Sequence, residues 1–210
     1  DVEVVLINVP AGNPERGEVG LAALPGREKD FREAVELCAT YARGLGARKV
    51  NVRAGKPPVD LSADRIWRTL TENLRFAVER LGEEGLMVLT EPINPVDVPG
   101  VFLNCLEAGL EALERVAHPG LYLQFDLYHM GITEPDLLKA IARAGRAIGH
   151  VQFADHPGRH EPGSGSLDLL GALAALREVG YDDAIAAEYR PLGRTEDGLH
   201  WMADFEAAIR

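Results

Sequence analysis

The sequence predicts an α/β protein built on a parallel β-sheet, and two observations support this fold class. Short apolar runs recur along the 210 residues and are nearly continuous in apolar character, as parallel strands covered on both faces are. Between these runs lie amphipathic patterns with the helical spacing of about 3.6 residues. Regular alternation of strand and helix is typical of βα units, which assemble into a parallel sheet.

Six apolar runs are predicted as strands, each followed by a polar or Gly- and Pro-rich loop: Val2–Val9, Arg48–Arg53, Leu86–Glu91, Leu121–Asp126, Ile148–Ala154 and Ala184–Tyr189. Three helices are predicted from apolar stripes at Phe31–Leu45, Ile66–Leu81 and Leu169–Leu176, and a fourth, between the last two of these, is predicted from Thr133 to about Ala147. Gly44 or Gly46, Gly82 and Gly180 are expected to end three of them. Thr133 with Asp136 is interpreted as the capping box of the fourth.

The spacing of the units predicts a barrel. Asn8 and Glu188, at the polar ends of the first and last strands, lie 180 positions apart, which is about 36 residues per unit. An eight-fold (β/α) barrel, the TIM-barrel type, would need roughly 290 residues at this spacing. No linker or low-complexity segment divides the chain. We therefore expect residues 1–210 to form one domain, an incomplete (β/α)8 barrel of six units, with about 45–55 further residues before Asp1 for the two missing N-terminal units.

Composition excludes several functional classes. Acidic residues outnumber basic ones 33 to 22, and the net charge of −11 repels phosphate backbones, so a nucleic-acid partner is not expected. No apolar run approaches the roughly 18 residues of a membrane span, and there is no signal-peptide pattern. Cys38 and Cys105 form neither a C-x-x-C motif nor a zinc spacing, which is typical of a reduced cytoplasmic protein. The sequence leaves open whether the protein forms a homo-oligomer.

Four successive strands end in an oxygen-bearing side chain. These residues are Glu91, Asp126, Gln152 and Glu188. A single acidic residue at a strand end is usually a helix cap or an ion-pair partner, but four in register on consecutive strands favour a shared site. Active sites of α/β barrels lie at this strand face. Because three carboxylates would repel one another, we predict that a hard cation, Mg²⁺ or Mn²⁺, lies between them.

Further candidates follow the same strands. His129 comes three residues after Asp126, and Arg159 and His160 lie in a loop with several glycines. A guanidinium offers a planar pair of donors to a carboxylate, so this loop is predicted to bind an anionic substrate, although it could also be a flexible surface turn. Asn8 is a weaker candidate for contact with a substrate hydroxyl.

Several long strings resemble the hydroxypyruvate isomerase family, which belongs to the xylose isomerase-like barrels. They are Val5–Gly12, Glu91–Gly100, Gln124–Met130, His150–Asp155, Pro157–Gly163, Glu188–Tyr189 and Asp197–Leu199. The resemblance extends over essentially the whole chain, and members of the family begin about two βα units earlier. Related sugar epimerases commonly have histidine where this chain has Gln152, which favours the hydroxypyruvate branch.

The resemblance implies a metal-assisted isomerisation of hydroxypyruvate, a small hydroxy-keto acid, to 2-hydroxy-3-oxopropanoate through an enediolate. It assigns Glu91 and Glu188 to acid/base catalysis and, with Asp126 and Gln152, to the metal. His129, Arg159, His160 and Asn8 would contact the substrate. The first alternative is isomerisation or epimerisation of a longer keto sugar or sugar acid. A sugar-acid-binding barrel without activity and a metal-dependent endonuclease are less favoured, since the latter needs more histidines and a basic groove.

Overall fold

The structure is a computed structural model that describes residues 2–209, with side chains described up to residue 207. These residues form two compact units, of which the first extends to Gln124 and the second begins at Phe125. Six strands are present in the described residues, at the six predicted positions, and those paired within each unit are parallel. The α/β class is therefore confirmed, while the single domain of residues 1–210 stays a prediction.

The first unit contains strands and helices in strict alternation. They are β1 (Leu6–Asn8), α1 (Glu28–Leu45), β2 (Lys49–Val52), α2 (Ala63–Gly82), β3 (Met87–Thr90), α3 (Leu106–Val116) and β4, which begins at Leu121 and ends at Asp126 in the second unit. β1 to β4 pair in chain order, and all pairs are parallel. The register sets Asn8 opposite Asn51, and Asn51 opposite Leu89, so that polar side chains collect at the carboxyl ends of these strands.

The core of the first unit lies between these helices and the strands. α1 buries Phe31, Val35 and Cys38 on one face, and burial raises the pKa of the Cys38 thiol to about 11. α2 buries Leu70 and Leu74 completely, and each such leucine contributes about 1.5–3 kcal/mol through removal from water. These are the apolar stripes that the helical spacing predicts.

The described residues of the second unit contain four α-helices and, after β4, two strands. Its elements after β4 are α4 (Leu127–Thr133), α5 (Leu137–Ala144), β5 (Ile148–Phe153), α6 (Leu169–Glu178), β6 (Ile185–Ala187) and α7 (Trp201–Ile209). The Trp201 ring lies 5.3 Å from the Phe153 ring and 5.0 Å from the Phe205 ring, which packs α7 against β5. In residues 2–209 no helix combines the length and apolar character needed to span a membrane.

The helix predicted from Thr133 to about Ala147 is present but starts later, and its predicted capping box is wrong. Thr133 instead ends α4, and its Oγ1 donates to the His129 carbonyl at 3.2 Å. Asp136 is the N-cap of α5, because its Oδ1 accepts the Lys139 N–H at 3.0 Å, and α5 ends at Ala144. Three further helices, α3, α4 and α7, do not correspond to any of the four predicted helices. α3 buries mainly small or widely spaced side chains, and α4 begins directly at the end of β4, where a loop was expected.

Candidate active site

The carboxyl ends of β1, β2 and β3 bring Asn8, Asn51 and Glu91 together in the first unit. The amide Nδ2 of Asn51 donates hydrogen bonds to Glu91 Oε2 at 2.8 Å and to Asn8 Oδ1 at 3.0 Å. Asn51 is fully buried and Glu91 is 5% exposed. The Asn51 amide therefore replaces part of the hydration that the Glu91 carboxylate loses on burial. Asn51 was missed from the sequence, where the only available signal was one amide inside an apolar strand.

Asp126 ends β4 and begins α4. Its Oδ1 accepts the backbone N–H of Tyr128 at 2.9 Å, which caps the helix. Its Oδ2 lies 3.5 Å from His129 Nε2 and 3.4 Å from Arg159 Nη2. Both Asp126 and His129 are buried. The first turn of α4 thus places His129 beside the Asp126 carboxylate, because residues three positions apart in a helix lie on the same face.

Arg159 joins Asp126 to Glu188 within the second unit. Its Nη2 donates to Glu188 Oε2 at 2.9 Å, and its guanidinium lies 5.0 Å from the Tyr128 ring centroid. The side chain of Glu188 is 53% exposed, whereas that of Asp126 is 1% exposed, so the group of Asp126, Arg159 and Glu188 extends from the core to the surface. The guanidinium thus neutralises two of the chain's own carboxylates, and its contact with a substrate carboxylate stays a prediction.

The glycine-containing loop that holds Arg159 is organised by Asp155. This buried carboxylate accepts the backbone N–H groups of His156 and Leu167 at Oδ1, at 2.8 and 3.1 Å, and those of Gly163 and Gly165 at Oδ2, both at 2.9 Å. A Cβ at Gly165 would lie 2.3 Å from the His156 carbonyl oxygen, so the close approach requires glycine. The loop is therefore a built structure rather than a flexible turn.

His160 and Gln152 lie elsewhere in the second unit. His160 Nδ1 is 2.7 Å from the Arg190 carbonyl oxygen, and its own carbonyl accepts the Asp155 N–H at 2.9 Å. Gln152 is in β5, in register with Ala186 of β6, and Glu188 follows the end of β6 by one residue. Gln152 and Glu188 thus lie near the carboxyl ends of two adjacent strands. The roles of Gln152 and His160 stay predictions.

The side chains offer donors that fit a divalent cation. Buried donors of this kind are present in both units: Glu91 provides carboxylate oxygens in the first, and Asp126 and His129 provide a carboxylate and an imidazole nitrogen in the second. Carboxylates are suitable ligands for Mg²⁺ and Mn²⁺, and an imidazole is also a suitable ligand for Zn²⁺. Burial of a carboxylate costs several kcal/mol unless positive charge compensates it, which favours a cation near these groups. His129 thereby becomes a candidate donor as well as a predicted substrate contact.

Comparison with known proteins identifies the family of this chain. A family model described as a xylose isomerase-like TIM barrel matches residues 1–205. Hydroxypyruvate isomerase of Escherichia coli K12 is 39% identical over 201 residues, which are 96% of this chain and 78% of that protein. The 2-oxo-tetronate isomerase of Cupriavidus necator H16 is 40% identical over 200 residues, which are 95% of this chain and 77% of that protein.

Solved structures show the same fold. A Brucella melitensis structure described as an AP endonuclease of family 2 has a TM-score of 0.93 and 37% identity, covering 97% of this chain and 79% of that one. An L-ribulose 3-epimerase structure has a TM-score of 0.83 at 22% identity, over 98% of this chain and 75% of that one, and supports the fold alone. On both sequence and structure, this chain belongs to the xylose isomerase-like TIM barrel family.

Proposed function

We propose that this chain is a metal-assisted sugar-acid isomerase that interconverts hydroxypyruvate and 2-hydroxy-3-oxopropanoate. That it is an isomerase-type enzyme follows from relatives at 39–40% identity named hydroxypyruvate isomerase and 2-oxo-tetronate isomerase. The observation that most favours the specific reaction is a pair of strand-end carboxylates, each oriented by its own donor. Asn51 holds Glu91 and Arg159 holds Glu188.

The reaction moves hydrogen between neighbouring carbons. One base removes a proton from the hydroxymethyl carbon of hydroxypyruvate, which forms an enediolate. A proton is then delivered to the former carbonyl carbon, and the hydroxyl proton passes to the former carbonyl oxygen, so atoms and charge balance. Such chemistry needs a base beside the reacting carbons and positive charge near the developing oxyanion.

Glu91 and Glu188 are proposed to transfer these protons. Arg159 occupies Oε2 of Glu188, and Oε1 has no hydrogen-bond partner among the described residues, so one oxygen remains to accept a proton. Asn51 fixes Oε2 of Glu91 in the same manner. Each carboxylate is thereby oriented before substrate binds, which avoids reorganisation during the reaction.

Asp126, Gln152, Glu91 and Glu188 are proposed to hold the cation, with His129 as a further donor. A divalent ion there would polarise the carbonyl and hydroxyl oxygens of the substrate and so acidify the carbon-bound proton. His129 could alternatively hold a substrate oxygen or relay a proton. Asn8, Arg159 and His160 are proposed as contacts to the remaining substrate oxygens.

The experiment is conversion of hydroxypyruvate by the purified chain in D₂O, followed by NMR. With Mg²⁺ or Mn²⁺ we expect the aldehyde product with deuterium at its hydroxyl-bearing carbon, and loss of activity after chelation. No conversion with Mg²⁺, Mn²⁺ or Zn²⁺ would contradict the proposal. Parallel assays with 2-oxo-tetronate test the longer sugar-acid alternative, which the relative from C. necator favours. Cleavage of abasic DNA tests the nuclease alternative, which the net charge of −11 disfavours.

A further inference from the structure

Arg53 directly follows β2, and its backbone is held from both sides. The Arg53 carbonyl accepts the Ala22 N–H at 3.5 Å, and the Ala54 carbonyl accepts the Ala23 N–H at 2.8 Å. The chain packs so closely here that a Cβ at Gly20 would lie 2.4 Å from the Arg53 carbonyl oxygen. The backbone of Arg53 is therefore closely packed and hydrogen-bonded.

The strand register places Arg53 and Glu91 at neighbouring strand ends. β2 and β3 pair Asn51 with Leu89 and Val52 with Thr90, so Arg53 and Glu91 are the residues that directly follow the two paired strand ends. Side chains alternate along a strand, so Arg53 lies on the same face as Asn51, whose amide contacts the Glu91 carboxylate. Arg53 thus belongs to the carboxyl-terminal edge of the strands that holds the candidate active site.

Arg53 has no counter-charge in the structure. Its Nε is buried and has no hydrogen-bond partner among the described residues, and its guanidinium makes no ion pair with any of them. Arg159, by contrast, pairs with both Glu188 and Asp126. A half-buried guanidinium without an acceptor is costly, because its lost hydration is not replaced. A bound anionic ligand would supply the acceptor that this guanidinium lacks.

We infer that Arg53 binds the carboxylate of the keto-acid substrate and thereby selects sugar acids over neutral sugars. The inference rests on the proposed function and deepens it. The guanidinium offers two parallel N–H donors that match a carboxylate, and hydroxypyruvate carries one such group beside its carbonyl. Because the Arg159 guanidinium already neutralises two protein carboxylates, Arg53 provides the unpaired positive charge that the substrate requires.

The test measures binding of pyruvate, which has the carboxylate and carbonyl but no hydroxyl to isomerise. Isothermal titration compares pyruvate with neutral hydroxyacetone for the wild type, Arg53→Met, Arg53→Lys and the control Arg68→Met, which replaces an exposed arginine of α2. We expect Arg53→Met to weaken pyruvate binding at least tenfold, as loss of a charge-assisted hydrogen bond does, and to leave hydroxyacetone unchanged. Arg53→Lys should retain part of the affinity, and Arg68→Met all of it.

Thermal melting separates ligand binding from a structural role. Since Arg53→Met removes an unpaired cation and keeps the apolar stem, its Tm should equal or exceed that of the wild type. Pyruvate should raise the Tm of the wild type and of Arg68→Met but not that of Arg53→Met. Pyruvate affinity within twofold of wild type in Arg53→Met, or a wild type that does not prefer pyruvate to hydroxyacetone, would overturn the inference. If pyruvate binding depends on Arg53 but hydroxypyruvate is not converted, the proposed reaction fails and the anion site stands.

Discussion

Replacement of Asn51 by leucine tests whether the orientation of Glu91 matters for catalysis. Leucine nearly preserves the volume but removes the amide that donates to Glu91 Oε2 at 2.8 Å and to Asn8 Oδ1 at 3.0 Å. A hydrogen bond to a charged group contributes about 1.5–3 kcal/mol and a neutral one about 0.5–1.5 kcal/mol. The free energy of unfolding should therefore fall by about 2–4 kcal/mol. A displacement of the base by about 1 Å costs up to about 10²-fold in rate.

We accordingly expect kcat/KM for hydroxypyruvate to fall about 10- to 100-fold in Asn51→Leu. Urea unfolding of the same preparation measures the loss of stability. Asn73→Leu is the matched control, because Asn73 is also a buried asparagine of the first unit and its Nδ2 donates to the Ala22 carbonyl at 2.9 Å. It should lose about 0.5–1.5 kcal/mol of stability, the contribution of one neutral hydrogen bond, and keep kcat within twofold. If Asn51→Leu is destabilised but turns over at the wild-type rate, the amide has only a structural role and the reasoning is refuted.

Three further substitutions separate the roles of residues in the second unit. Glu188→Gln keeps the shape but cannot accept a proton, so kcat should fall about 10²–10⁴-fold with little change in the urea midpoint; activity within threefold of wild type would exclude Glu188 as a base. Arg159→Met should lower kcat more than it raises KM, because the lost contact is to Glu188 at 2.9 Å; a change in KM alone would assign Arg159 to the substrate carboxylate instead. Asp155→Ala removes the acceptor of four backbone N–H groups and should lower the free energy of unfolding by about 3–5 kcal/mol in urea titrations. An unchanged urea midpoint would show that the loop does not depend on Asp155.

Strand positions were predictable from the sequence because burial on both faces leaves a distinct apolar run. β4 begins and ends at the predicted residues Leu121 and Asp126, and the other strands lie inside the predicted runs. Helix starts were harder to predict where one residue both ends a strand and caps the following helix. Asp126 ends a strand and caps the next helix at once, so α4 was mistaken for a loop. Asp136 caps α5 without Thr133, so the predicted capping box was misplaced.

The candidate site was predictable at its strand ends and not beyond them. Glu91, Asp126 and Glu188 stand out because an acidic residue after an apolar run can be recognised from the sequence alone. Asn51 and Asp155 act through contacts with residues that lie 40 positions and 8 to 12 positions away, respectively, and local sequence does not show such contacts. Arg53 was hidden for the opposite reason, since what distinguishes it is the lack of a partner, which only three-dimensional structure reveals.

Anomalous diffraction from crystals grown with saturating Mn²⁺ tests the central claim most directly, because it locates the ion without assuming activity. The account predicts one manganese peak per chain, coordinated by oxygens of Glu91, Asp126, Gln152 and Glu188. Manganese bound only elsewhere, or no peak among these four side chains at saturation, would contradict a metal-assisted isomerase built on these strand ends.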